Sequence, residues 1–132
     1  MVLPKGQFRV VFSPKNYAAS VAFYGDGLSL PIDHDWNYGS GDFGTVFIAA
    51  GAMIEVLGEA PAAEYKKPQG ISILIQVDDA DKWFGLAKAR SLPIAQEPTS
   101  YPWGHRVLRI SDPDGLLISL FSLIPPAQTP AA

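Results

Sequence analysis

Two histidines, thirteen acidic side chains and no cysteine set the reactive chemistry open to this 132-residue chain. His34 lies in Asp33-His34-Asp35, a run that invites a metal-site reading. On an extended strand, residues i and i+2 point one way and the residue between them points the other. His34 therefore does not readily join both aspartates on one ion, and no metal ligand is assigned there. His105 opens the run His105-Arg106-Val107-Leu108-Arg109-Ile110, in which Leu108 and Ile110 read as core. Alternation then turns His105, Val107 and Arg109 to the opposite face. An imidazole so placed serves near neutral pH as acid, base or hydrogen-bond donor. With no visible partner it reads equally as a binding or packing group. Glu55 shares its face with Met53 and Leu57 by the same alternation. No catalytic residue is assigned; His105 and Glu55 are the candidates for acid–base work.

The elements that must position these groups follow from periodicity. Gln7 to Ser13 alternates, with Phe8, Val10 and Phe12 on one face and Arg9 and Val11 on the other, as a half-buried strand does. Asn16 caps a helix carrying Tyr17, Val21, Tyr24 and Leu28, closed by Gly25 and Gly27. Three strands follow, near 30–38, 44–49 and 53–57, with Ala50-Gly51 as the last turn. The order then restarts: a strand over 70–77, a helix capped by Asp79, and strands near 94–97, 105–110 and 116–123. Asp112-Pro113-Asp114-Gly115 suits a type I turn. Phe8 matches Ile71 and Asn16 matches Asp79, both 63 residues apart, while Glu55 matches Ser119 at 64. Repetition at one offset predicts an α+β chain of two tandem βαβββ modules, 1–58 and 70–124, joined by a Pro- and Ala-rich linker over 59–69. A Pro- and Ala-rich tail over 125–132 reads as disordered.

Three segments resemble a known superfamily, the vicinal oxygen chelate proteins of glyoxalase, bleomycin-resistance and extradiol-dioxygenase type. Asn16…Ser20-Val21-Ala22-Phe23-Tyr24 resembles the family's D-x-x-x-S-x-x-F-Y helix start, with Asn in place of Asp. Tyr101-Pro102-Trp103-Gly104-His105 and Asp112-Pro113-Asp114-Gly115-Leu116-Leu117-Ile118 resemble its P-W-G and D-P-D-G-N-L-I-E-L segments. The likeness spans residues 7 to 123. It implies two modules whose curved sheets surround a concave cleft, commonly in a homodimer.

The resemblance also implies where a metal would sit. Family enzymes take one ligand from the first strand and one from the last strand of each module, usually His, Gln or Glu. Carried over position by position, these fall on Arg9, Glu55, Ser72 and Ser119. Only Glu55 is a competent ligand, because a guanidinium donates only and serine hydroxyls bind zinc, nickel or iron(II) poorly. A register slip of two would put Gln7 in place of Arg9. The expectation is that the metal site is dismantled and that no cofactor is held.

Glu55 on an apolar concave face would need a partner, and Arg9 or Arg109 is expected to supply it. A wet, open groove is the alternative, since water solvates a carboxylate cheaply. By the same matching Thr45 and Phe47 are expected to face inward. The aromatics Trp36, Tyr38, Phe43, Phe47, Tyr101 and Trp103 gather where the mouth of such a groove would be, offering flat contact area for a planar ligand. Several read equally as core or dimer contacts. Trp103, in a loop between Pro102 and Gly104, is the favoured binding residue, and Trp83 reads as core. The expected ligand-binding set is Arg9, Trp36, Tyr38, Phe47, Glu55, Trp103, His105 and Arg109.

Composition narrows the partners. At 48% hydrophobic and 17% charged the chain has the makings of a folded core, and its net charge of −3 offers no attraction for nucleic acid or an anionic membrane. No apolar run approaches the roughly 20 residues of a membrane span. The first residues lack the basic-then-apolar order of a secretory signal, and the absence of cysteine favours a cytoplasmic setting. Three functions follow. The favoured one is a metal-free protein, similar to the bleomycin-resistance branch, that sequesters a planar or aromatic molecule, as in antibiotic resistance. The second is a metal-dependent lyase, isomerase or dioxygenase using Glu55. The third is a module with a structural or regulatory partner and no small ligand.

Overall fold

The computed structural model describes residues 6–126, and the order strand, helix, three strands occurs in it twice. The tail expected to be disordered lies, from residue 127 on, outside the described residues. The chain separates into two compact units, one ending at Lys66 and the other starting at Lys67. The architecture is α+β.

In the first unit, β1 (Arg9–Phe12), β2 (Ile32–Asn37), β3 (Phe43–Ala49) and β4 (Ala52–Leu57) form one open sheet in the order β1-β4-β3-β2. The helix α1 (Tyr17–Ala22) begins where the Asn16 side chain accepts the Ala19 amide at 3.0 Å, and it runs into a π-helical turn over Phe23–Gly27. Tyr24 in that turn meets Phe12 and Phe47, so the helix covers one face of the sheet. Ile54, Val56 and Phe47 are buried on this face, and each such side chain contributes roughly 1.5–3 kcal/mol by leaving water.

The second unit repeats the plan with β5 (Ser72–Gln76), α2 (Ala80–Ala89), β6 (Ile94–Ser100), β7 (His105–Ser111) and β8 (Leu117–Leu123), ordered β5-β8-β7-β6. Asp79 caps α2 by accepting the amides of Asp81 and Lys82. Leu108, Ile110 and Ile118 are fully buried, as are Ala80 and Ala87 of α2. Trp83, expected in the core, is only half-buried, and the Arg90 guanidinium lies 6.0 Å from its ring. The β7–β8 turn closes on Asp112, whose buried carboxylate accepts the amides of Asp114 and Leu116 at 2.8 Å each. Gly115 takes φ +83° there, a conformation suited to glycine.

The strand registers display the repeat directly. Val11 lies beside Glu55 and Leu74 beside Ser119; Val46 lies opposite Glu55 and Arg109 opposite Ser119. The offset is 63 in the first and third strands and 64 in the last.

Candidate functional site

Each sheet turns one face to its helix, and the chemistry lies on the other. In the first unit that other face carries Arg9, Val11, Met53, Glu55, Gly44, Val46 and, from β2, His34 and Trp36. Arg9 Nη1 donates to Glu55 Oε1 at 2.7 Å, and its Nε and Nη2 donate to Gln7 Oε1 at 2.9 and 2.6 Å. The pair is partly shielded, with 29% of the arginine and 16% of the glutamate side chain exposed. Trp36 lies across Gly44, where a Cβ would meet its ring at 2.5 Å, and its indole N–H donates to Asp42 at 3.0 Å. Glycine is therefore what lets this tryptophan lie flat on the sheet.

In the second unit the corresponding face carries Ser72, Leu74, Ser119, Phe121, His105, Val107 and Arg109. His105 stacks on Phe121 with ring centroids 4.2 Å apart, and Tyr101 stacks on Trp103 at 4.5 Å. Arg109 Nη1 donates to Gln96 Oε1 at 3.1 Å, and Gln96 Nε2 reaches Tyr101 Oη at 3.1 Å. Trp103 is 65% exposed at the β6–β7 loop. The face combines flat rings with a cation.

Three sequence expectations are corrected here, those that turned Phe47, Thr45 and Phe43 toward a groove. Phe47 does not face the groove: its β4 neighbour is Ile54, its ring meets Tyr24, and it is 0% exposed under the helix. Thr45 lies on that same helix-side face, within hydrogen-bond reach of the Tyr17 hydroxyl. Phe43 also packs there, edge-on to Tyr17 at 4.9 Å. Tyr38, 80% exposed, sits beyond the end of β2 in the loop before β3 and touches neither sheet face through an aromatic contact among the described residues. Arg9, Glu55 and Trp36 share the first unit's open face, and His105 and Arg109 share the second's, with Trp103 at its rim. Gln96, which braces Arg109, was not among the expected residues, and Gln7, which braces Arg9, had entered only as an alternative occupant of the Arg9 position. Gln7 had a signal in its parity with Arg9, whereas β6 carries register shifts around Gln96 that break alternation.

Two cavities lie elsewhere in the first unit. One of about 490 Å³ is lined by Asp42, Phe43, Gly58, Glu59 and Glu64, and an apolar one of about 430 Å³ by Tyr17, Val21, Gly25, Ile32 and Phe47. Neither contains Glu55. An ion pair of the second unit, Arg106 with Asp81, is also off the open face. Arg106 makes two bonds to Asp81 at 2.8 and 2.9 Å, which hold that carboxyl below its usual range and raise the guanidinium.

A family model for the Glyoxalase/Bleomycin resistance protein/Dioxygenase superfamily matches residues 6–120. The chain belongs to this superfamily. No curated protein matches. Among solved structures, a superfamily member from Sphaerobacter thermophilus is 21% identical with a TM-score of 0.73, covering 92% of this chain and 99% of that one. An antibiotic binding protein, TnmS3 from Streptomyces sp. CB03234, is 20% identical with a TM-score of 0.73, covering 93% and 99%. Lactoylglutathione lyase from Agrobacterium tumefaciens is 20% identical with a TM-score of 0.67, covering 91% and 95%. At these identities the superfamily likeness establishes the fold, and the residues must speak for the site.

The residues on the metal-ligand positions do not fit a divalent ion. Arg9 is a permanent donor, and it donates into the one carboxylate available, Glu55. Ser72 and Ser119 offer hydroxyls, weak ligands for the metals that imidazole and carboxylate select. Among the described residues no three His, Asp or Glu side chains converge to hold an ion.

Proposed function

We propose that this superfamily member is a metal-independent small-molecule-binding protein that captures a planar aromatic ligand and sequesters it without turnover. The observation that carries the reading is the Arg9–Glu55 pair, which places a fixed cation against the carboxylate that a metal enzyme of this family would need. A second support is the open face of the second unit, where Tyr101–Trp103 and His105–Phe121 form two stacked pairs. Rings offer large contact area at low entropy cost, and binding alone protects by mass action. The antibiotic-binding neighbour performs the kind of task this arrangement suits. His105 contributes as a stacking and hydrogen-bonding surface in this account.

The proposal includes a homodimer. Leu74 on the edge strand β5, Ile71 just before it and Leu123 on β8 are exposed, apolar surface of the kind a second copy covers. Light scattering giving twice the chain mass is the expected result; a monomer removes this part.

Fluorescence titration of wild type and Trp103→Phe against a panel of planar aromatic compounds, including antibiotics, tests the capture reading. Saturable quenching in the wild type, weakened about tenfold in the variant, is expected: full truncation of an aromatic anchor costs roughly 2 kcal/mol or more, phenylalanine keeps part of the contact, and about 1.4 kcal/mol is one decade. No response to any compound would discard it.

A further inference from the structure

Three arginines stand on strands of this fold, and two are neutralised. Arg9 ends on Glu55 and Arg106 on Asp81. Arg109 has no carboxylate within ion-pair reach among the described residues; its hydrogen bond runs from Nη1 to the neutral Gln96 amide. A guanidinium has five N–H donors and stays protonated, so most of Arg109's donor capacity is left for other partners. It is half-buried, and Val107, Ser119 and Phe121 beside it on the open face are neutral. A partly desolvated cation among apolar and aromatic groups favours an anion more strongly than one in bulk water does.

Gln96 sets the direction. Its carbonyl oxygen accepts from Arg109, which leaves its nitrogen to donate to Tyr101 Oη. One amide thus ties the cation to the phenol, and the phenol ring is stacked on Trp103. On β7, Arg109 and His105 are four residues apart on one face, roughly 13 Å, with Val107 and Phe121 between them. A carboxylate attached to a fused two- or three-ring system matches that run of cation followed by flat surface.

We propose that the ligand class is a planar aromatic acid whose carboxylate is held by Arg109 while its rings lie toward Phe121, His105 and Trp103. This rests on the aromatic-capture reading above and adds the ligand's charge. The pairing is local and works against the chain's net charge of −3. It is a matter of one positioned guanidinium rather than of general attraction.

The test compares two probes of the same shape, 2-naphthoate and 2-naphthamide, by calorimetric titration at pH 8 with wild type, Arg109→Met and Arg109→Lys. The wild type is expected to hold the acid about tenfold more tightly than the amide, the scale of a charge-assisted hydrogen bond. Arg109→Met should erase that preference and leave amide affinity within about twofold, because neutral-ring contacts are untouched. Arg109→Lys should keep part of it, having the charge without the planar fork. If Arg109→Met does not fold, Gln96→Leu replaces it and should reduce the preference by releasing the guanidinium. Equal binding of both probes by the wild type, or a preference that survives in Arg109→Met, overturns the anion proposal and leaves aromatic capture standing. Failure of both probes to bind overturns this inference, while the capture reading stands or falls with the wider aromatic panel.

Discussion

Arg9 Nη1 stands 2.7 Å from Glu55 Oε1 across the parallel strands β1 and β4, with Gln7 Oε1 on the other edge of the guanidinium. The arrangement compensates a carboxylate that faces Val46 and Met53, and it does so with a group that cannot share the carboxylate with a metal. In a double-mutant cycle with Glu55→Gln and Arg9→Met, a coupling of about 1 kcal/mol is expected in denaturant unfolding. That exceeds many fully exposed pairs because both side chains are mostly shielded. A coupling near zero would mean the carboxylate is solvated and the pair is ornamental.

Phe47 is a core residue, and its truncation should affect stability alone. Phe47→Ala should cost about 3–5 kcal/mol in unfolding free energy, the range for emptying a fully buried aromatic site. Phe47→Leu should fold and retain the wild-type affinity for any aromatic ligand. A ligand affinity that falls in Phe47→Leu, with stability corrected for, would place the ring in the site after all.

Gly44 is required by Trp36. A Cβ at position 44 would lie 2.5 Å from the Trp36 ring and 2.8 Å from the Val56 carbonyl oxygen, so both a side chain and backbone would have to give way. Gly44→Ala should destabilise the fold by about 1–3 kcal/mol and shift Trp36 emission. The double variant Gly44→Ala/Trp36→Ala should recover only part of this loss, since the carbonyl contact remains. An unchanged melting curve for Gly44→Ala would contradict the packing.

Acid should loosen α2 from β7. The Arg106 guanidinium beside Asp81 holds that carboxyl below its usual value in the folded state. Its contribution is therefore complete above the ordinary aspartate range and is lost as pH falls through the lowered folded value. Because Asp81 is largely exposed, the effect is at most about 0.5 kcal/mol. Asp81→Asn should melt slightly lower than wild type at neutral pH, with the difference closing in acid. A difference that widens in acid would give the opposite sign and refute the linkage.

Much of this was legible in the residues. Alternation and capping located the strands, β6 only as far as Glu97, and both helix starts, because Asn16 and Asp79 have side chains that satisfy free helix amides. The offset between halves, read from Phe8, Asn16 and Glu55, reappears as register. Phe47 was misplaced although the same offset, carried to the third strand, sets it against the core residue Ile110 and sets Val46 against Arg109. The error came from treating an aromatic near a supposed cleft as lining it, when the aromatic–helix contact with Tyr24 decides its side. Gln96 could not be read because β6 shifts register twice, and alternation has no meaning across a bulge. The stacking of Tyr101 on Trp103 depends on a loop, where side-chain direction follows no period.

Independence from metal is the centre of the account, and ligand binding before and after chelation measures it. Protein dialysed against EDTA should bind an aromatic probe with the Kd of the untreated protein, and untreated protein should hold far less than one equivalent of divalent metal per chain. One tightly held ion per chain, with probe binding lost on its removal and restored on its return, would contradict the reading.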